Sequence, residues 1–186
     1  FMAGMVVVAM CADPNLFVAC VRQVQKSLKY SAKKLIEEKI EAFGVGHLFE
    51  VQQNVIKRIG GKGECIFCGL SDHTADSIKS MDGFHIWWIE EAQSITEHSM
   101  QLLIPTVRGN KGPFGAKQPE VWFSWNPRRR ADPVEKLLRP RGKARESAIV
   151  VRANYTDNPF LAQHELDEIE FDRVSNPDRF AHVWLG

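Results

Sequence analysis

This sequence predicts an α/β domain built on a largely parallel sheet, and three observations support that reading. Short apolar runs alternate along the chain with segments of helical spacing. The runs are continuous, as in strands buried on both faces, and do not alternate apolar with polar. The 186 residues, 44% apolar and 25% charged, suffice for one domain with a real core. The same composition excludes a disordered chain, a collagen-like repeat and a disulfide-dense mini-protein. No stretch approaches the ~20 continuous apolar residues of a membrane span, so no membrane partner is expected. Four cysteines read as reduced intracellular thiols. With 24 basic against 23 acidic residues the net charge is +1, so any case for a nucleic-acid partner rests on how the charge is distributed.

Each element has its own local reason. Residues 2–10 are apolar with no basic stretch ahead of them and no clean small-x-small cleavage site after, so they read as a buried helix, not a signal peptide. Asp13-Pro14-Asn15 ends it. Residues 16–21 form the first buried strand. Leu28, Leu35, Ile36, Ile40 and Phe43 then recur near helical spacing, with lysines mostly on the other face and Gly44 as the stop. Residues 50–59 and 64–70 are strand-like runs around Gly60-Gly61-Lys62-Gly63, which predicts a β-hairpin insertion. Residues 84–89 are a second buried strand, 96–107 a helix broken near Pro105, 120–125 a third strand and 148–153 a fourth. From 161 to 184 the pattern is helical, interrupted at Asn176-Pro177.

Parallel sheets bind ligands beyond the carboxyl ends of their strands, so the polar residues there carry the functional reading. The second strand ends in Glu90-Glu91. Adjacent carboxylates at so apolar a tip are costly unless they hold something cationic or line a wet cleft. An apolar run followed by two acids is the Walker B arrangement of P-loop ATPases, in which the first acid positions Mg²⁺ and the second polarises the attacking water. A helix N-terminus, where acids favour the dipole, explains the pair equally well. The third strand ends in Ser124-Trp125-Asn126-Pro127, whose hydroxyl and amide suit a phosphate or a neighbouring carboxylate; alone, Asn-Pro is a turn signal. After the first strand, Arg22 could reach a phosphate with Gln23 or Gln25 in support, or it could belong to a solvated helix start.

Taken in register, six segments make the pattern specific. They are Val21-Arg22-Gln23-Val24-Gln25-Lys26-Ser27, Gly69-Leu70 followed by Asp76-Ser77-Ile78-Lys79-Ser80, Trp88-Ile89-Glu90-Glu91-Ala92-Gln93-Ser94, Leu103-Ile104-Pro105-Thr106-Val107-Arg108, Phe123-Ser124-Trp125-Asn126-Pro127 and Asn154-Tyr155-Thr156-Asp157-Asn158-Pro159. From about residue 16 to 186 the chain resembles the ATPase domain of large terminase subunits of tailed phages and prophages, the motors that drive viral DNA into capsids. The resemblance implies a RecA-like P-loop (ASCE) NTPase core across residues 1–186, followed in the full protein by a nuclease domain. It implies ATP and Mg²⁺ as cofactors. Glu90 would be the acid assisting Mg²⁺ through water, and Glu91 the catalytic carboxylate orienting the nucleophile. Arg22, Ser124 and Asn126 would face the nucleotide, Ser124 and Asn126 as part of the motif that senses the γ-phosphate. Implied partners are double-stranded DNA, a portal protein, a small terminase subunit and further copies in a ring, in the bacterial host cytoplasm and transiently at the procapsid portal. The first acid is Glu where many P-loop ATPases have Asp, a longer reach that suits water-mediated contact.

The phosphate-wrapping motif G-x-x-x-x-G-K-[ST] does not occur: Gly61-Lys62 runs into Gly63, and Gly142-Lys143 into Ala144. In the family that loop lies shortly before the helix that residues 2–10 fit. Phe1 is no natural start, so the chain reads as a motor domain cut ahead of the loop and before the nuclease acids. As written, it is expected to bind ATP poorly and hydrolyse none. Two alternatives stay open, a catalytically dead prophage fragment that keeps only binding surfaces and a helicase-like P-loop ATPase of other purpose.

Charge is unevenly spread. Arg128, Arg129, Arg130, Lys136, Arg139, Arg141, Lys143 and Arg145 crowd one segment, whereas residues 157–178 are acidic. The basic stretch suits sequence-independent contact with DNA phosphates, with Arg128, Arg129 and Arg130 as candidates. A solvated loop, or contact with the acidic tail of a neighbouring subunit, explains it as well. Cys65-Ile66-Phe67-Cys68 has C-x-x-C spacing without a second pair, and strand residues at i and i+3 face opposite sides, so a plain strand is expected. His85 reads as a satisfied core histidine.

Overall fold

A fully apolar strand needs ladder partners at both edges and cover on its faces. β1 (Phe17–Arg22) has parallel neighbours on both sides, β4 (Glu64–Gly69) on one and β5 (Ile86–Ile89) on the other. β6 (Glu120–Phe123) continues the parallel ladder beyond β5. Beyond β4 the sheet turns antiparallel, through β3 (Val55–Arg58) to β2 (Phe49–Val51), for the order β2-β3-β4-β1-β5-β6. This computed structural model describes residues 1–24, 31–70, 81, 83–109 and 111–185. They fall into two units, Phe1–Trp125 with the sheet and Asn126–Gly186.

In the first unit, α1 (Met2–Ala12) and α2 (Ala32–Ala42) pack on one face of the sheet. Val6, Val7 and Met10 of α1 and Ile36 and Ile40 of α2 join Val18, Cys20, Cys65, Phe67, Ile86 and Trp88 in one buried cluster. Each such apolar side chain is worth about 1.5–3 kcal/mol on burial. Leu35 and Phe43, expected on the inner stripe of α2, are exposed, because Ala32, Ile36 and Ile40 fill that face. Lys33 and Lys34 pair with Glu37 and Glu38 on the outer turns. α3 (Glu97–Thr106) follows a short turn and is capped by Thr96, whose hydroxyl accepts from Ser99 N at 3.1 Å. Pro105 falls in its last turn, where the expected break occurs.

The hairpin forms around residues 60–63 as expected, but its glycines have a specific task. The loop lies on the Asp13-Pro14-Asn15 turn: Gly63 N donates to Pro14 O at 2.8 Å, and Lys62 N to Asn15 Oδ1 at 3.1 Å. A Cβ on Gly61 would stand 2.0 Å from the Pro14 carbonyl oxygen, closer than any side chain can approach. Arg58 completes the joint, donating to Met10 O at 3.0 Å and Leu48 O at 3.1 Å.

Two expectations are corrected. Residues 50–59 are not one strand; the chain turns at 52–54, where Gln52 N donates to Val55 O, and β2 and β3 pair with each other. Residues 148–153 form no strand among the described residues, and Ile149 and Val151 are 95% and 79% exposed. A β-pattern becomes a strand only where a neighbour receives its backbone groups. The expected start of α2 at Leu28 lies outside the described residues.

The second unit is helical: α4 (Pro133–Leu138), α5 (Gln163–Ser175) and α6 (Pro177–Val183). Its anchor is Asp172, fully buried, which accepts from Arg179 Nη1 at 2.5 Å and Trp184 Nε1 at 2.8 Å. Tyr155 sets its ring edge-on to Phe180 and Trp184, and Asn154 and Asp157 close a capping box around the turn that carries it. The Asn154-Tyr155-Thr156-Asp157 segment is therefore a packing device. Replacing Asp172 by Ala is expected to destabilise the α5–α6 pair by about 2–3 kcal/mol, since it strands an indole N–H and a guanidinium. Hydrogen exchange across residues 163–183 would show the loss, and Glu170→Ala, in an exposed pair with Arg173, should leave it unchanged.

Candidate active site

Register brings the expected site residues to one row. The last paired row across three strands is Val21, Ile89 and Phe123. One step further the ladder is still hydrogen-bonded, Glu90 N donating to Val21 O at 2.8 Å and Ser124 N to Ile89 O at 3.0 Å. Residues level with one another in a parallel sheet share a face. Arg22, Glu90 and Ser124 thus stand side by side at the carboxyl ends of β1, β5 and β6, on the face that carries α1 and α2.

By strand alternation Glu91 would turn to the opposite face. Its backbone prevents this. Glu91 adopts φ 49°, ψ 47°, a left-handed conformation unusual for a residue with a side chain and worth about 1–3 kcal/mol of strain. The kink is held from both sides: Ala92 N donates to Ser124 O at 3.0 Å, and Ser94 N to Glu91 O at 2.9 Å. It turns the Glu91 carboxylate back to the guanidinium that also serves Glu90. Arg22 Nη2 pairs with Glu91 Oε2, and Nη1 lies 3.4 Å from Glu90 Oε2. Side-chain exposure separates the acids, 13% for Glu90 against 45% for Glu91, with Arg22 at 12%. The buried acid is held and the outer one can meet water. Glu91 is also the N-cap of a three-residue 3₁₀ turn, Ala92–Ser94, so the helix-start reading is met in that short form.

Arg22 is thus not a solvated helix residue: its guanidinium meets the carboxylates of Glu90 and Glu91. Gln23 accepts from Thr96 N at 3.1 Å, which fixes the entry to α3. Gln25, Lys26, Ser27 and the segment 76–80 lie outside the described residues. Ser124 Oγ accepts from Trp88 Nε1 at 3.0 Å and so keeps its own proton to donate. Asn126, expected beside Ser124, belongs to the second unit, as do Arg128, Arg129 and Arg130, which are exposed. Sequence reasoning missed two participants. Trp88 orients the Ser124 hydroxyl, and Ser31 donates to Glu90 Oε2 at 3.2 Å while accepting from Arg22 Nη1 at 3.3 Å. The sequence pattern carries Ser31 inside a helix that starts at Leu28, so only the fold reveals this use of it.

The donors are hard oxygens, which suit a hydrated Mg²⁺ and not a soft metal. No three His, Cys, Asp or Glu side chains among the described residues gather to hold an ion by themselves. The cysteines take no part. Cys65 and Cys68 lie buried in β4 as a plain strand, and burial pushes the Cys68 thiol up to about 12, with Cys65 adding to the shift. Burial likewise raises Cys20, with the hydrogen bond to Cys65 adding to it. His85 is satisfied as expected, accepting from Phe17 N at 3.0 Å, though half-buried.

A mostly parallel α/β sheet with paired acids on its carboxyl edge has the fold of the ATPase domains of large terminases. The structure of a large terminase from a thermophilic bacteriophage, in complex with ADP, matches with TM-score 0.66 at 15% identity, covering 100% of this chain and 44% of that one. The ATPase domain of the large terminase of Thermus phage P74-26 matches with TM-score 0.60 at 13% identity, covering 98% and 81%. The large terminase subunit of Bacillus phage SPP1 is 25% identical over 188 residues, 97% of this chain and 44% of the relative. The profile of the family described as phage terminase large subunit matches residues 2–186, and the chain belongs to that family. It spans less than half the length of the curated relative. No helix among the described residues is long and apolar enough to cross a membrane.

The Arg22–Glu90 pair, with both side chains largely buried, is expected to show a coupling of about 1–3 kcal/mol in a double-mutant cycle with Ala at each position. Urea unfolding of the four proteins measures it, and additive losses would mean that the pair is incidental.

Proposed function

We propose that this chain is the motor part of a DNA-packaging terminase, in which Glu90 and Glu91 serve ATP hydrolysis and the basic segment of residues 128–145 grips DNA. The observation that carries the reading is the left-handed kink at Glu91, which sets two carboxylates of unequal exposure on one guanidinium at the carboxyl edge of the sheet. Strain of this kind persists where a side chain has to be aimed.

Each residue then has a task. Glu90, largely buried and held by Arg22 and Ser31, would hold Mg²⁺ through water. Bound there, the metal would neutralise charge on the phosphates of ATP. Glu91 accepts a hydrogen bond from the attacking water and orients it toward the γ-phosphate. Arg22 keeps the two carboxylates from repelling each other. Ser124, its oxygen engaged by Trp88, directs its proton to a phosphate oxygen, and the chain that follows it to Asn126 responds when that phosphate is lost. The phosphate-wrapping loop is not encoded in these 186 residues, so by themselves they bind ATP poorly and do not turn it over. In the whole protein the partners would be double-stranded DNA, a portal protein, a small terminase subunit and further copies in a ring, in the bacterial host cytoplasm and transiently at the portal.

The surface of the second unit favours DNA over an acidic neighbour as the mate of the basic segment. Arg128, Arg129, Arg130, Arg141, Lys143 and Arg145 are exposed and form no ion pair among the described residues. Much of the acidic stretch is already engaged locally: Glu168 and Asp172 by Arg179, Glu170 by Arg173, Glu165 by Ala162 N and Asp167 by Gln163.

In the full-length protein, Glu91→Gln is expected to keep ATP binding and lower turnover at least about 100-fold, because an amide cannot take up the proton of the nucleophile. Retained turnover removes Glu91 from the role, and a wild-type protein that carries the phosphate loop yet never hydrolyses ATP establishes the catalytically dead reading. Changing Arg128, Arg129 and Arg130 together to Ala should make the slope of log affinity for DNA against log salt shallower by about 2–3. An unchanged slope places the DNA elsewhere.

A further inference from the structure

We infer that Ser31 is a positioning residue that fixes which oxygen of Glu90 faces the metal, an inference that rests on the reading of Glu90 as the acid beside Mg²⁺. Three contacts close a triangle. Arg22 Nη1 lies 3.4 Å from Glu90 Oε2, Ser31 Oγ donates to that same Oε2 at 3.2 Å, and Arg22 Nη1 donates to Ser31 Oγ at 3.3 Å. Oε2 therefore has two side-chain donors among the described residues, which turns Oε1 toward a metal-bound water. Without the hydroxyl, the guanidinium would be the carboxylate's one remaining side-chain donor among the described residues, and the carboxylate would pivot on it and present either oxygen.

The local backbone shows that the hydroxyl is committed to this use. Ser31 precedes α2, and its carbonyl accepts the first helical bond, from Leu35 N at 3.0 Å. A serine there ordinarily spends its side chain on a free amide of the first turn. Ser31 makes no such bond; its φ −110°, ψ −88° lies outside the usual capping geometry. The hydroxyl turns to Glu90, 59 residues away in sequence. Outer groups of this kind, which orient a ligand without touching the ion, tune metal sites strongly.

The test uses the full-length protein with saturating ADP and Mn²⁺ as a paramagnetic stand-in for Mg²⁺, its affinity read by electron paramagnetic resonance. Ser31→Ala is expected to weaken Mn²⁺ binding about tenfold, and Ser31→Thr, which keeps the hydroxyl, to stay within about twofold of wild type. ADP binding without divalent metal and the melting temperature should be unchanged in both. Wild-type Mn²⁺ affinity in Ser31→Ala overturns the inference, as does a parallel loss of metal-free ADP binding or failure of Ser31→Thr to retain the affinity. Glu90→Gln separates the two levels. If it weakens Mn²⁺ binding and Ser31→Ala does not, only the role of Ser31 falls; if Glu90→Gln binds Mn²⁺ as wild type does, the Glu90 reading falls and the inference with it.

Discussion

Two carboxylates cannot share the end of an apolar strand without a cation, and Arg22 is that cation. Its guanidinium meets Glu90 and Glu91 together and reaches them because β1 and β5 run parallel in a register that sets Arg22 level with Glu90. The arrangement depends on both strands keeping that register to the last residue. It is kept by the apolar side chains of Val18, Cys20, Ile86 and Trp88, buried on one face beneath α1 and α2. A shift of one residue would turn all of these to the wrong side and scatter the charged row with them.

The site joins a rigid part and a strained part. Glu90 continues the ladder, is largely buried and takes two side-chain donors. Glu91 leaves the ladder through a left-handed residue held by amide bonds on either side, and stands far more exposed. Such a division suits an acid that holds and an acid that acts. Local strain is tolerable here because the surrounding sheet over-determines the backbone.

Elsewhere the chain resolves its polar groups by ordinary means. Glycines at 61 and 63 let the hairpin loop lie on the carbonyl of Pro14, and Arg58 closes the end of α1. In the second unit Asp172 gathers Arg179 and Trp184, and much of the acidity around it is used up by near neighbours. The guanidinium groups of Arg128, Arg129 and Arg130 form no ion pair among the described residues. An overall charge near zero thus conceals one segment of unspent positive charge.

Much of the fold was legible in the sequence because its signals are local. Continuous apolar runs marked β1, β5 and β6, helical spacing marked α2 and α3, and Glu90-Glu91 and Ser124 announced themselves at strand ends. The same reasoning failed at residues 148–153, where an apolar pattern had no strand to receive it, and at 50–59, where a turn divided one run into two. Hydrophobic pattern states that a segment can be a strand, but a ladder needs a second chain segment, which lies far off in sequence. The site divides in the same way. Residue types and their order nominated the side chains of the candidate site. Only the tertiary structure decided that Arg22 serves the carboxylates, that Trp88 aims Ser124 and that Ser31 turns from its helix to Glu90. Those contacts arise from register and from one backbone kink, and neither is written in any short stretch of residues.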